Sequence, residues 1–151
     1  MILATRHTGL VVRDLDKSLV FYRDILGLSI FKRMKESGPY IEWVVGIPGV
    51  VLEWIKLKAN DGSLVELIQY HSSSEVSQQT VNFPSDRLGC SHIAFTVTDI
   101  DGLYKNLVDK GYHCNSVPQF SPDGKVKVMY GHDPDGIIIE FVQEVINDCL
   151  S

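Results

Sequence analysis

Paired cysteines, long apolar runs and a basic excess are all missing from this chain. Its three cysteines, Cys90, Cys114 and Cys149, are odd in number and widely spaced, which excludes a disulfide framework and a Cys-x-x-Cys metal or redox pair. Reduced thiols and a cytoplasmic setting are the expectation. The most apolar stretch, "WVVGIPGVVLEWI", is interrupted by Gly46, Pro48 and Gly49 and is too short to span a bilayer. The opening "MILATRHTGLVV" has no basic segment leading into an apolar core and a small-residue cleavage site, so no secretion signal is expected. A net charge of −5 and a pI near 5.4 argue against a nucleic-acid surface, because phosphate binding needs a basic face. A small-molecule partner is expected, with neither nucleic acid nor membrane.

What the chain does have is the composition of one ordinary globular domain over its 151 residues, 44% apolar and 22% charged, and an internal repeat. "HTGLVVRDLD" (His7 to Asp16) lies over "HIAFTVTDID" (His92 to Asp101) at an offset of 85 residues. Both read His-x-small-apolar-x-Val-x-Asp-apolar-Asp. Each Asp-x-Asp is suited to cap a helix, since its carboxylate accepts backbone N–H bonds at the positive end of the dipole. Apolar residues at helical spacing follow both times, Leu15, Leu19, Tyr22, Ile25 and Leu26, then Ile100, Leu103, Leu107 and Val108, with Gly27 and Gly111 as stops.

A second match sets "DGSLVEL" (Asp61 to Leu67) over "DGIIIEF" (Asp135 to Phe141) at an offset of 74. Asp-Gly before a β-rich run reads as a turn into a strand. The fall from 85 to 74 implies about eleven extra residues in the first unit, an excursion placed in "MKESGPYIEWVVGIPG". Each unit then reads strand, helix, strand, strand, strand. The first has strands at about 5–13, 28–35, 50–59 and 63–71 and a helix at 15–26; the second has strands at about 90–97, 112–118, 125–132 and 136–144 and a helix at 99–110. Module one thus covers about 5–71, a polar linker about 72–89, and module two about 90–144. The fold class is α+β, two tandem βαβββ modules.

The repeat puts His7 with His92 and Glu66 with Glu140 in equivalent places. Side chains alternate along a strand, so His92 shares a face with Ala94 and Thr96, and His7 with Gly9 and Val11, leaving room beside each imidazole. Two imidazoles and two carboxylates suit one borderline divalent transition metal (Ni, Co, Zn, Mn or Fe), whereas an all-oxygen set would suit Ca²⁺ or Mg²⁺.

At "HTGLVVRDLDKSLVFYRDILGL", "SHIAFTVTDID" and "HDPDGIIIEFVQ" the chain resembles the vicinal oxygen chelate superfamily, which includes glyoxalase I, methylmalonyl-CoA epimerase, extradiol dioxygenases, fosfomycin resistance enzymes and bleomycin-binding proteins. The resemblance runs from about Thr5 to Glu144. It implies one glyoxalase-like domain over 1–151 in which paired modules curl a mixed sheet around a cleft, with a metal held by His7, Glu66, His92 and Glu140. It further implies a metal-dependent lyase or isomerase, working by enolate or enediolate stabilisation on a small 2-oxo or thioester compound, with Glu66 and Glu140 as candidate bases and Glu53 as an epimerase-type base. An isolated βαβββ sheet needs a partner edge, so paired modules, as in a homodimer, are expected. Extradiol dioxygenases and fosfomycin-type transferases use three protein ligands, and Glu66 would fill the position they leave open. They rank lower for that reason, and a non-enzymatic drug-binding protein is the third alternative.

Other residues attract attention. Trp43, Trp54, Tyr40 and Phe120 are candidates for lining the cleft or the core, and Arg13, Arg33, Lys56 and Lys58 for an acidic substrate group or plain solvation. His71, His113 and His132 have no repeat partners, so solvent or turn positions are expected for them.

Overall fold

Ile55, Leu57, Val65 and Leu67 alternate with polar neighbours along two stretches of chain, and all four are buried. That period of two collects them on one face. In a computed structural model of the chain, which describes residues 1–72 and 82–145, they sit in the first of two units, Met1–Gln79 and Thr80–Ser151. The first unit runs β1 (Thr8–Val11), α1 (Leu15–Leu19), a π-helical segment (Val20–Ile25), β2 (Ser29–Ser37), α2 (Pro39–Val45), β3 (Val51–Lys58) and β4 (Leu64–Tyr70). Its open sheet has the order β1-β4-β3-β2, with β1 parallel to β4 and the other pairs antiparallel.

The second unit repeats the plan with β5 (His92–Thr96), α3 (Ile100–Asp109), β6 (Gln119–Phe120), β7 (Val126–His132) and β8 (Ile138–Glu144). Its order is β5-β8-β7-β6. Ile139 and Phe141 on β8 are fully buried with Ile100 and Leu107 of α3. Burying side chains of this size contributes about 1.5–3 kcal/mol each.

Both helices start as the sequence predicts. Asp14 accepts from the backbone N–H of Asp16 and Lys17 at 3.0 and 3.1 Å, and Asp99 from that of Gly102 at 2.9 Å. A further bond fixes each helix over its sheet: the Leu15 N–H donates to Gln69 Oε1 at 2.9 Å and the Ile100 N–H to Gln143 Oε1 at 2.7 Å. Gln69 shares its face with Val65 and Leu67, and Gln143 with Ile139 and Phe141, so the helices cover those faces. Gly27 and Gly111 end the helical segments at φ of 79° and 82°, a left-handed conformation that glycine adopts without a Cβ clash.

Two expectations are corrected. The helix at 15–26 is α-helical only over Leu15–Leu19 and then widens to π, with the Leu26 N–H reaching Phe21 O at 3.0 Å. The wider turn lets consecutive Phe21 and Tyr22 both bury fully, packed edge to face with centroids 5.1 Å apart. The strand at 112–118 is absent; Cys114 makes an isolated bridge to Gly131, and pairing resumes only at Gln119–Phe120. Pro118 has no N–H to give a ladder, and Gln119 Nε2 takes up the Val117 carbonyl at 3.1 Å. The excursion between strands two and three is the helix α2, whose Ile41 packs on Val50 and Leu52 beside Val45, Trp54, Ile68 and Tyr70. Of the linker expected at 72–89, residues 73–81 lie outside the described residues, as does Cys149. Cys90 and Cys114 are free thiols.

Candidate metal centre

The chemistry-bearing face of each sheet is the one turned away from its helix. In the first unit Gly9 stands beside Glu66 in the parallel β1/β4 register, so His7, two residues earlier, shares the face of Glu66. His7 Nε2 lies 3.0 Å from Glu66 Oε2. In the second unit Ala94 stands beside Glu140, and His92 Nε2 lies 3.0 Å from Glu140 Oε2. The same two residue types thus meet at the same distance in both copies. Gly9 and Ala94 supply the small neighbours that keep space beside each ring.

Each pair sets an imidazole Nε2 and a carboxylate oxygen side by side, 3.0 Å apart. Both atoms are donors that borderline divalent ions accept. Each pair therefore fits half of a two-nitrogen, two-oxygen set. His7 Nδ1 is buried with no partner among the described residues, and it is the atom that carries the ring proton once Nε2 gives its lone pair to an ion. His92 Nδ1 has one, the Ser91 hydroxyl at 2.7 Å, which can accept that proton or donate its own. Each pair belongs to its own unit, and no group of three or more His, Cys, Asp or Glu side chains placed to share an ion occurs among the described residues.

The strand next to each glutamate differs between the copies. Lys56 stands directly across from Glu66, its Nζ 3.5 Å from Glu66 Oε1. Tyr130 stands across from Glu140, its ring 5.2 Å from that of His92. Burial, and then the Glu140 charge, push the Tyr130 hydroxyl above its usual pKa.

Glu53 is placed elsewhere. Three residues from Lys56 on β3, it points to the opposite face from Glu66. There it accepts from Arg33 Nε at 2.6 Å and meets His71 Nε2 at 3.2 Å. Arg33, then His71, hold its pKa below the usual carboxylate value.

The remaining singled-out residues divide. Trp43, Tyr40 and Phe120 are exposed, while Trp54 is half-buried and donates from Nε1 to Glu36 Oε2 at 2.6 Å. Arg33 also reaches Asp16, and Arg13 is half-buried and partnered. His71 pairs with Glu53, and His113 stacks near His132 with centroids 4.9 Å apart. His132 departs from expectation: it is 2% exposed, with Nδ1 3.1 Å from Gly136 O and Nε2 2.8 Å from Asn115 Oδ1. Sequence reasoning also missed the helix-tethering Gln69 and Gln143, although they share the 74-residue offset of Glu66 and Glu140. "ELIQ" and "EFVQ" carried that signal.

The model of the Glyoxalase/Bleomycin resistance protein/Dioxygenase superfamily matches residues 5–141 of the chain. The chain is 31% identical over 141 residues to a protein of Synechocystis sp. named probable lactoylglutathione lyase, an alignment covering 91% of this chain and 92% of that one. It is 29% identical over 148 residues to the lactoylglutathione lyase of Pseudomonas aeruginosa, covering 93% and 82%. In fold it is similar to the crystal structure of a glyoxalase family protein from Bacillus cereus, with a TM-score of 0.85, 24% identity and 97% of each chain covered.

Proposed function

The chain belongs to the Glyoxalase/Bleomycin resistance protein/Dioxygenase superfamily, and from that premise we propose that it is a metal-dependent lyase or isomerase of the glyoxalase kind. Its substrate is a small 2-oxo or thioester compound, and its reaction moves a proton on carbon next to a carbonyl. The observation that carries this reading is the duplicated pair, His7–Glu66 and His92–Glu140, with the same 3.0 Å contact in each unit.

These four side chains would hold one divalent transition metal, which when bound supplies Lewis-acid stabilisation of the negative charge that develops on the substrate oxygens. The histidines fix position through Nε2. A glutamate with two carboxylate oxygens can hold with one and take a proton with the other, so Glu66 or Glu140 removes the proton from carbon and returns it to the neighbouring carbon. Glu53 is a poorer candidate for that step, because it faces the opposite side of β3 and its ion pairs with Arg33 and His71 keep it weakly basic. Two glutamates in the set favour proton transfer over oxygen chemistry, which needs a further open position for O₂.

The test follows solvent deuterium into carbon next to the carbonyl across a panel of 2-oxo, thioester and thiohemiacetal compounds, beside an oxygen electrode with catechols. The first thiohemiacetal is the one whose rearrangement gives lactoylglutathione, the compound in the relatives' names. Deuterium incorporation that metal removal abolishes is the expected result. Oxygen uptake with ring cleavage and no exchange anywhere on the panel would overturn the reading.

A further inference from the structure

Three lysines stand on the Glu66 face of the first unit, in a chain whose net charge is −5. Lys56 and Lys58 alternate on β3 with the buried Ile55 and Leu57, and Lys32 on β2 stands directly across from Lys56. Like charges directly opposed on neighbouring strands are destabilising. The arrangement is held by Trp54, whose ring lies 4.7 Å from Lys56 Nζ and 5.7 Å from Lys32 Nζ, within range of cation–π attraction. Trp54 is itself fixed by its bond to Glu36 and its packing in the α2 cluster.

Lys56 is the telling member. Its side chain is only 19% exposed, and among the described residues the one carboxylate within 4.0 Å of its ammonium is that of Glu66. A half-buried ammonium requires a counter-charge. When Glu66 gives its charge to an ion, Lys56 loses that partner and a cation stands nearby. The repeat shows that the fold itself does not require this charge: 74 residues on, Tyr130 replaces Lys56, Val128 replaces Trp54 and His132 replaces Lys58.

We propose that Lys56 and Lys32, seated on Trp54, bind an anionic oxyacid group of the substrate, a phosphate or a carboxylate, next to the Glu66 end of the site. The inference deepens the lyase or isomerase reading and rests on it for the position of the reacting carbonyl. The two lysines then choose among compounds that share vicinal oxygens, favouring those that carry the anion.

Dihydroxyacetone phosphate and dihydroxyacetone make the probe pair, since they share the vicinal oxygens and differ in the phosphate. Calorimetric titration of the metal-loaded protein should show at least about tenfold tighter binding of the phosphate ester, with the advantage shrinking as salt is raised. Lys56→Met should remove the preference, so that the ester and dihydroxyacetone bind alike, while Lys56→Arg keeps it. A purely structural Lys56, serving only as partner to Glu66, predicts the opposite: a Lys56→Met variant that melts lower and still prefers the ester. That result, or equal binding of the two probes by the wild-type protein, would overturn the proposal. Inorganic phosphate titrated into metal-free Glu66→Gln protein, in which Lys56 has lost its carboxylate partner as it would on metal binding, separates this inference from the reading beneath it. If the wild-type protein takes up no metal, the lyase or isomerase reading fails, whereas phosphate binding that Lys56→Met abolishes still supports the anion site and its absence overturns it.

Discussion

Replacing Gln143 by Ala removes the acceptor that joins α3 to β8. The Ile100 N–H, which now donates to Gln143 Oε1 at 2.7 Å, is a first-turn donor with no carbonyl of its own helix to take it. Ile100 itself is fully buried. Loss of a helix cap costs about 1 kcal/mol, and stranding a buried donor about 1–3 kcal/mol. Because the contact is partly buried, water recovers some of that, and Asp99 still caps the Gly102 N–H. Gln143→Ala is therefore expected to cost about 1–2 kcal/mol, read by urea denaturation followed by circular dichroism. Hydrogen exchange at the Ile100 amide should speed up in step. Gln143→Glu keeps the acceptor and adds a negative charge at the positive helix end, so it should remain within about 0.5 kcal/mol of wild type, the range of neutral surface changes. A Gln143→Ala protein as stable as wild type, with Ile100 protection unchanged, would refute the tether.

Glu53→Gln removes the pairs with Arg33 and His71 and should cost up to about 1 kcal/mol at neutral pH. Arg33 holds the Glu53 pKa below 4.5 in the folded chain, so this stability is fully present above 4.5 and lost as pH falls through the folded value; the two proteins' melting temperatures should converge in acid. Assays of the same variant for deuterium exchange should show turnover retained, and its loss would return Glu53 to the role of base. Gly131→Ala would bring a Cβ to 3.2 Å from Phe141 Cε2 and 3.6 Å from Leu107 Cδ1, an overpacking expected to cost about 1–3 kcal/mol in a thermal melt. An unchanged melt would mean that α3 and its sheet have room to part.

The repeat made the two His–Glu pairs legible before the fold. His7 and His92, and Glu66 and Glu140, were visible because two copies of one pattern put the same residue types at matching places, and the structure brings each His to its Glu. The helix caps were legible for the same reason, since Asp14 and Asp99 precede apolar periodicity that only a helix satisfies. What escaped was whatever the second copy does not share or local spacing does not encode. The π turn answers to the burial of Phe21 and Tyr22 together, a tertiary demand. The strand expected at 112–118 fails where Pro118 and side-chain bonds satisfy the backbone locally. His132 looked like a turn residue because its partners, Asn115 and the Gly136 carbonyl, come together only through the fold. Lys56 stood out only as one of several scattered cations, because its opposition to Lys32 across β2 and β3 depends on a register shifted by the irregularity between Ile30 and Lys32.

The central claim is that His7, Glu66, His92 and Glu140 form one metal-binding set. Elemental analysis of protein purified without chelators or a metal-affinity tag tests it most directly, run on wild type, His92→Ala and His113→Ala. The account predicts about one divalent transition-metal ion for each such set in wild type and in His113→Ala, whose imidazole lies against that of His132 and is not one of the four, and a sharp loss in His92→Ala. Equal metal retention by the two variants, or a metal-free wild type that titration cannot load, would contradict it.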